Sequence, residues 1–133
     1  MSATGSDAVA DGPLLLLRLE GAALAIAAII LFARLGFSWW LFAALILMPD
    51  LSIAGYLAGA RIGAGIYNAA HTTLAPIALG VVAFEVTRPT VLAIGLIWLT
   101  HIGADRALGF GLKYRAGFGF THLGQIGSSS KQL

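Results

Sequence analysis

The sequence predicts an all-α membrane protein, an up-down bundle of four transmembrane helices with both termini on the same side. Three observations predict it. Of 133 residues, 59% are hydrophobic and 11% are charged, against about 25% charged in an ordinary soluble domain. The apolar residues gather into four runs near the length of about 20 residues that a bilayer core requires. The connections are short, which makes consecutive helices antiparallel neighbours. This composition excludes a soluble globular domain, which needs far more polar surface. A net charge of +2 is too small to imply nucleic acid, so no nucleic-acid partner is expected. The absence of cysteine removes disulfides, thiolate catalysis and Cys-ligated zinc.

Residues 1–12 are small and polar, lack the basic start of a secretory signal, and read as a disordered tail. Residues 13–112 form the four-helix transmembrane domain, with spans near 14–33, 37–58, 64–86 and 90–112. The connections hold Arg34, Gly36, Gly59, Arg61, Thr87 and Pro89. Residues 113–126 alternate glycine with aromatic residues and read as an interfacial or lid-like segment; residues 127–133, with three serines, read as a second disordered tail. Arg61, Lys113, Arg115 and Lys131, with Arg18 close by, outweigh Arg34 and Arg88 on the opposite side. The positive-inside rule then puts both termini in the cytoplasm, integral to the cell inner membrane, with Trp39 and Trp40 in the outer aromatic belt. Gly55, Gly59 and Gly63 recur every four residues, and Gly21 with Ala25 echoes them. Such spacing serves close packing inside the bundle or a homo-oligomer face.

Ionisable groups inside the runs point to function. Glu20 lies in the first span, Asp50 in the second, Asn68 and His71 in the third, and His101, Asp105 and Arg106 in the fourth. A charged group at mid-membrane costs about 2.5–3.5 kcal/mol on insertion scales. At about 1.5 Å rise per residue, Glu20, Asp50, His71 and Asp105 all fall about 9–12 Å from the cytoplasmic edge, with His101 about 16 Å deep. His101 and Asp105 are four apart on one helix face, and Asn68 and His71 three apart. Pro49 and Pro76 are expected to kink their helices beside these groups. Asp50, His71, His101 and Asp105 make a first shell for a divalent metal: zinc, or iron or manganese with water completing the shell. Glu20 is the expected base, with Arg18, Asn68, Arg106, Lys113, Tyr114 and His122 as supporting or substrate-binding groups. The chemistry that fits is hydrolysis of a lipid-like ester or phosphoester, an amphipathic small molecule reached from the lipid bilayer. Three alternatives stay open: a haem held by His71 and His101, a metal-free isoprenoid or lipid isomerase using Glu20 and Asp50, and a structural subunit whose carboxylates pair with Arg18 and Arg106.

Leu17-Arg18-Leu19-Glu20-Gly21, Met48-Pro49-Asp50-Leu51, Tyr67-Asn68-Ala69-Ala70-His71 and His101-Ile102-Gly103-Ala104-Asp105-Arg106, with Gly111-Leu112-Lys113-Tyr114 and Thr121-His122-Leu123-Gly124, resemble a family of small bacterial membrane proteins catalogued only as a domain of unknown function. The resemblance covers nearly the whole chain between the tails and implies no activity. The Pro-Asp element, a helix histidine and the later His-x-x-x-Asp are more distantly similar to the membrane-bound metal-dependent hydrolases of bacteria. That similarity implies Asp50, His71, His101 and Asp105 as metal ligands. Ser52 stands where those hydrolases usually carry a second aspartate, and no His-Arg-x-x-Thr-His-Ser element is present at His71.

Overall fold

The computed structural model describes residues 11–113 and 120–125. Helices α1 (Asp11–Arg34), α2 (Trp39–Leu45), α3 (Ala60–His71), α4 (Leu74–Glu85) and α5 (Pro89–Ala107) follow one another, with a 3₁₀ helix, Met48–Ala58, between α2 and α3. Among the described residues, three stretches are long and apolar enough to cross a membrane: Gly12–Arg34, Trp39–Ala58 and Ala60–Glu85. They match the first three expected spans. The fourth, α5, is not among them, because His101, Asp105 and Arg106 dilute its apolar character. It lies at the centre instead, packed against α1, α2, α4 and the 3₁₀ helix. Asp11 and Gly12, expected in the N-terminal tail, already belong to α1.

The second span breaks where Pro49 predicts. Pro49 has no N–H, so the turn there cannot close onto the Leu45 carbonyl. The chain tightens instead, and the Asp50 N–H donates to the Leu47 carbonyl at 3.1 Å, an i to i−3 bond of the 3₁₀ type. The third span breaks earlier than Pro76 alone predicts. Thr72 is extended (φ −80°, ψ 145°), so α3 ends at His71, and the Thr72 hydroxyl accepts the Leu74 N–H at 3.4 Å. Pro76 then sits in the first turn of α4, where a missing N–H costs little.

The small residues pack the chain against itself. Gly21, Ala25, Ala28 and Phe32 make one buried stripe of α1 at helical spacing. A Cβ on Gly103 would stand 2.6 Å from the Gly21 carbonyl oxygen and 2.7 Å from the Ala25 nitrogen, so these backbones touch only because both positions are glycine. Phe32 is fully buried, its ring centroid 5.0–5.4 Å from those of Phe37, Trp39 and Phe42. The Gly55–Gly59–Gly63 repeat is not one helix stripe. Gly59 (φ +112°) links the 3₁₀ helix to α3, Gly55 faces Ile66, and Gly63 faces the Tyr56 ring. The repeat folds those two elements onto each other. Large apolar side chains such as Leu15, Ile26, Trp40, Leu57 and Phe84 point outward, as helices surrounded by lipid require.

After α5, Phe120–Thr121 (β1) pairs antiparallel with Gly124–Gln125 (β2), and Lys113 bridges to Thr121. This small hairpin departs from a purely helical fold. Tyr114, most of both expected tails and the middle of the Gly/aromatic segment lie outside the described residues.

Gly103→Val should separate α1 from α5 and lower the thermal midpoint in detergent, by about 1–3 kcal/mol for overpacking. Gly65→Ala, with nothing within 4 Å of its added Cβ, should leave the midpoint unchanged or higher.

Candidate metal centre

The two helix breaks and α5 bring four side chains together. Asp50 leads the 3₁₀ helix, His71 ends α3, and His101 and Asp105 share one face of α5. His71 continues the buried stripe of Gly63, Ala64 and Tyr67, and its ring stacks on Tyr67 at 3.8 Å and 8°. At the C-terminal end of α3 the helix dipole favours positive charge.

Hydrogen bonding fixes the direction of both imidazoles. His71 Nδ1 lies 2.9 Å from the Tyr67 carbonyl oxygen, and His101 Nδ1 lies 2.6 Å from that of Ile46. A carbonyl only accepts, so each Nδ1 carries the proton and donates. The Ile46 carbonyl is available because of the 3₁₀ turn. In a continuing α-helix the Asp50 N–H would occupy it; here that N–H bonds Leu47 instead.

In the neutral rings each Nε2 therefore presents a lone pair, and both lone pairs face carboxylates. His101 Nε2 is 3.2 Å from Asp50 Oδ1 and 3.2 Å from Asp105 Oδ2. His71 Nε2 is 3.3 Å from Asp50 Oδ1 and 3.5 Å from Asp105 Oδ2. The two Nε2 atoms are 3.3 Å apart. Four acceptors this close are stable only with positive charge among them, either protons on the imidazoles or a metal ion. The spacing fits a metal. A tetrahedron with zinc–ligand distances of about 2.0–2.2 Å has edges of about 3.3–3.6 Å, and these five edges span 3.2–3.5 Å. All four ligand atoms lie within 4.8 Å of one another, so the buried Asp50–His71–His101–Asp105 group could hold a metal ion. The exposure is uneven: the histidine side chains are 4% and 5% accessible, Asp105 21% and Asp50 40%.

The other expected residues take different places. Glu20 is exposed on α1 and is not part of the cluster. Helix α1 meets α5 through Gly21 and Ala25, which turns Glu20 aside. Without it, the isomerase reading loses one of its two groups. Arg18 and Arg106 make no direct ion pair with the cluster carboxylates, as the structural alternative would have them: Arg18 Nε donates to the Ala107 carbonyl at 2.9 Å, and Arg106 Nη2 donates to that of His71 at 3.4 Å. The Asn68 amide is taken up by the backbone of Lys113, with Nδ2 donating to its carbonyl at 2.8 Å and Oδ1 accepting its N–H at 2.5 Å. This holds the segment after α5 against α3. Lys113 Nζ sits 4.8 Å from the Tyr67 ring centroid. His122 closes on the backbone and not on the cluster, its Nδ1 accepting the Leu112 N–H at 2.9 Å; burial and the Arg106 charge hold it below the ordinary histidine range. A haem between His71 and His101 does not fit, because the carboxylates of Asp50 and Asp105 occupy the space a porphyrin would need between the two Nε2 atoms. Sequence reasoning missed Tyr67 and the Ile46 carbonyl. The i, i+4 spacing of Tyr67 and His71 was a usable signal for the first, and the turn tightened at Pro49 for the second.

The family model described as "Domain of unknown function (DUF4260)" matches residues 14–126. The chain belongs to this family. No curated protein and no solved structure matches it. The family description carries no activity, so the chemistry has to be argued from this cluster.

Burial pulls the Lys113 ammonium down from 10.5 to about 8, the nearby aspartates opposing that shift. Between these values the unfolded chain holds a proton that the folded chain has released, so stability rises with pH across that window. Melting temperature in detergent should therefore climb from pH 8 to pH 10, and Lys113→Met should remove this component of the slope.

Proposed function

We propose that this chain is an integral protein of the cell inner membrane that binds one divalent metal through Asp50, His71, His101 and Asp105, and that the metal serves hydrolysis of a lipid-like ester or phosphoester. One observation carries the reading: both Nδ1–H groups are committed to carbonyls, so four acceptor atoms converge with five of their six separations at 3.2–3.5 Å. In this reading α5 is the fourth span, surrounded by the other elements, and both termini face the cytoplasm. The lipid bilayer is the partner; the small-residue contacts argue for packing within one chain before any homo-oligomer.

A bound divalent metal supplies Lewis acidity and brings the pKa of coordinated water to about 7. His71 and His101, buried and pinned through Nδ1, hold their positions. Asp50 is the most exposed of the four, so its carboxylate would be the one to take the proton that the attacking water loses. The water oxygen then bonds to the acyl carbon or phosphorus, the bond to the leaving alcohol breaks, and that alcohol receives the proton. A second reading rests on the ligand count. Four protein ligands close a tetrahedron, as structural zinc sites do, and would make the metal a clamp joining the 3₁₀ helix, α3 and α5.

Metal analysis of protein purified without added metal should find about one equivalent of zinc, iron or manganese. His71→Ala and His101→Ala should each weaken binding at least about tenfold, since losing a ligand exceeds the tenfold or greater cost of losing its supporting partner. Unchanged metal content in Asp50→Ala, His71→Ala and His101→Ala would refute the four-ligand site. Asp50→Asn separates the two readings. Retained metal with lost turnover of a long-chain p-nitrophenyl ester or phosphodiester supports hydrolysis. If the metal-loaded wild type turns over neither probe and chelation lowers only the melting temperature, the clamp stands.

A further inference from the structure

Beside the cluster lies an apolar pocket of about 380 Å³, within the size range of small-molecule sites, about 300–1,000 Å³. Its walls are the elements that carry the ligands. Pro49 precedes Asp50, Ala70 precedes His71, and Ile97 and Trp98 lie one turn before His101. Pro49 and Ser52 fall on the same face because a 3₁₀ helix repeats every three residues. The Ser52 hydroxyl, the polar group in this wall, donates to the Pro49 carbonyl at 2.7 Å, leaving a hydrocarbon surface. Trp98 is held in place by its Nε1–H, which donates to the Ala70 carbonyl at 2.6 Å.

The direction of the pocket is informative. Ile94 marks its far wall, seven residues before His101 on α5, or about 10 Å along the helix axis. The pocket thus runs from the polar cluster toward the start of α5, between α5 and two stretches apolar enough to cross a bilayer. Polar group at one end and hydrocarbon slot at the other match one lipid lying along its own leaflet. We infer that this pocket is the tail subsite for a single hydrocarbon chain of an amphiphile whose ester or phosphoester head meets Asp50 and the histidines. Resting on the proposed function, the inference adds where the tail lies and which residues limit it. Trp98 forms one side of the slot, and Ala70 and Ser52 leave it open by being small.

Trp98 also provides the measurement. The chain has three tryptophans, so Trp39→Phe/Trp40→Phe leaves Trp98 as the sole tryptophan, excited selectively at the red edge of its absorption. That variant, in detergent micelles, is titrated with a lysophospholipid brominated along its acyl chain. Trp98 quenching should saturate at low mole fraction, and Ala70→Leu and Ser52→Leu should each shift the half-point at least tenfold while metal content and helical circular dichroism stay unchanged. The fillers enter from different elements, so misfolding of one leaves the other as the test. Quenching that rises linearly with mole fraction and ignores both fillers would overturn the tail subsite. The metal and the tail fail separately. Saturable, filler-sensitive quenching without bound metal would leave a lipid site and sink the hydrolase; bound metal with non-saturable quenching would do the reverse.

Discussion

Two hydrogen bonds, from His71 Nδ1 to the Tyr67 carbonyl and from His101 Nδ1 to the Ile46 carbonyl, govern the arrangement of this molecule. They decide which nitrogen of each ring is left as an acceptor, and they turn those nitrogens toward Asp50 and Asp105. Each has a structural cause in the chain. His71 reaches back one turn along its own helix. His101 reaches a carbonyl that a regular helix would have used itself, and that Pro49 releases by forcing a tighter turn. A membrane interior penalises unsatisfied backbone groups, so irregular backbone persists there only where something else binds it. Here a histidine does.

The same economy explains the glycines. The contact between Gly21 and Gly103 sets α1 against α5 on the face of α5 opposite His101 and Asp105. It fixes the central helix without adding a polar group near the cluster. Helix α1 is thus a packing element. The ligands come from the 3₁₀ helix, α3 and α5, and the loop after α5 is anchored to α3 by the Asn68 amide.

Much of this was legible in the sequence because hydrophobicity and i, i+4 spacing are local properties. Three apolar stretches and the shared face of His101 and Asp105 follow from them, the common level of Asp50, His71 and Asp105 follows from counting the helical rise, and the break at Pro49 follows from its missing N–H. Glu20 misled because depth alone says nothing about rotation about the helix axis, and one residue's offset from Gly21 places it outside. The arginines misled because in a site rich in carbonyls the backbone competes for their N–H groups. The Thr72–Thr73 break was not legible because neither threonine by itself stops a helix, and the Pro76 signal lies four residues further on. The role of Asn68 and the Lys113–Thr121 bridge depend on chain segments meeting 45 and 8 residues apart, which no local pattern encodes.

The order of the ligands along the chain has a consequence for biogenesis. Asp50 and His71 are synthesised well before His101 and Asp105, and α5 delivers half of the cluster together with the largest single share of the buried residues. Until that last helix arrives, Asp50 and His71 have only each other as partners within the cluster. A chain that stops before α5 therefore lacks His101 and Asp105, and with them half of the cluster.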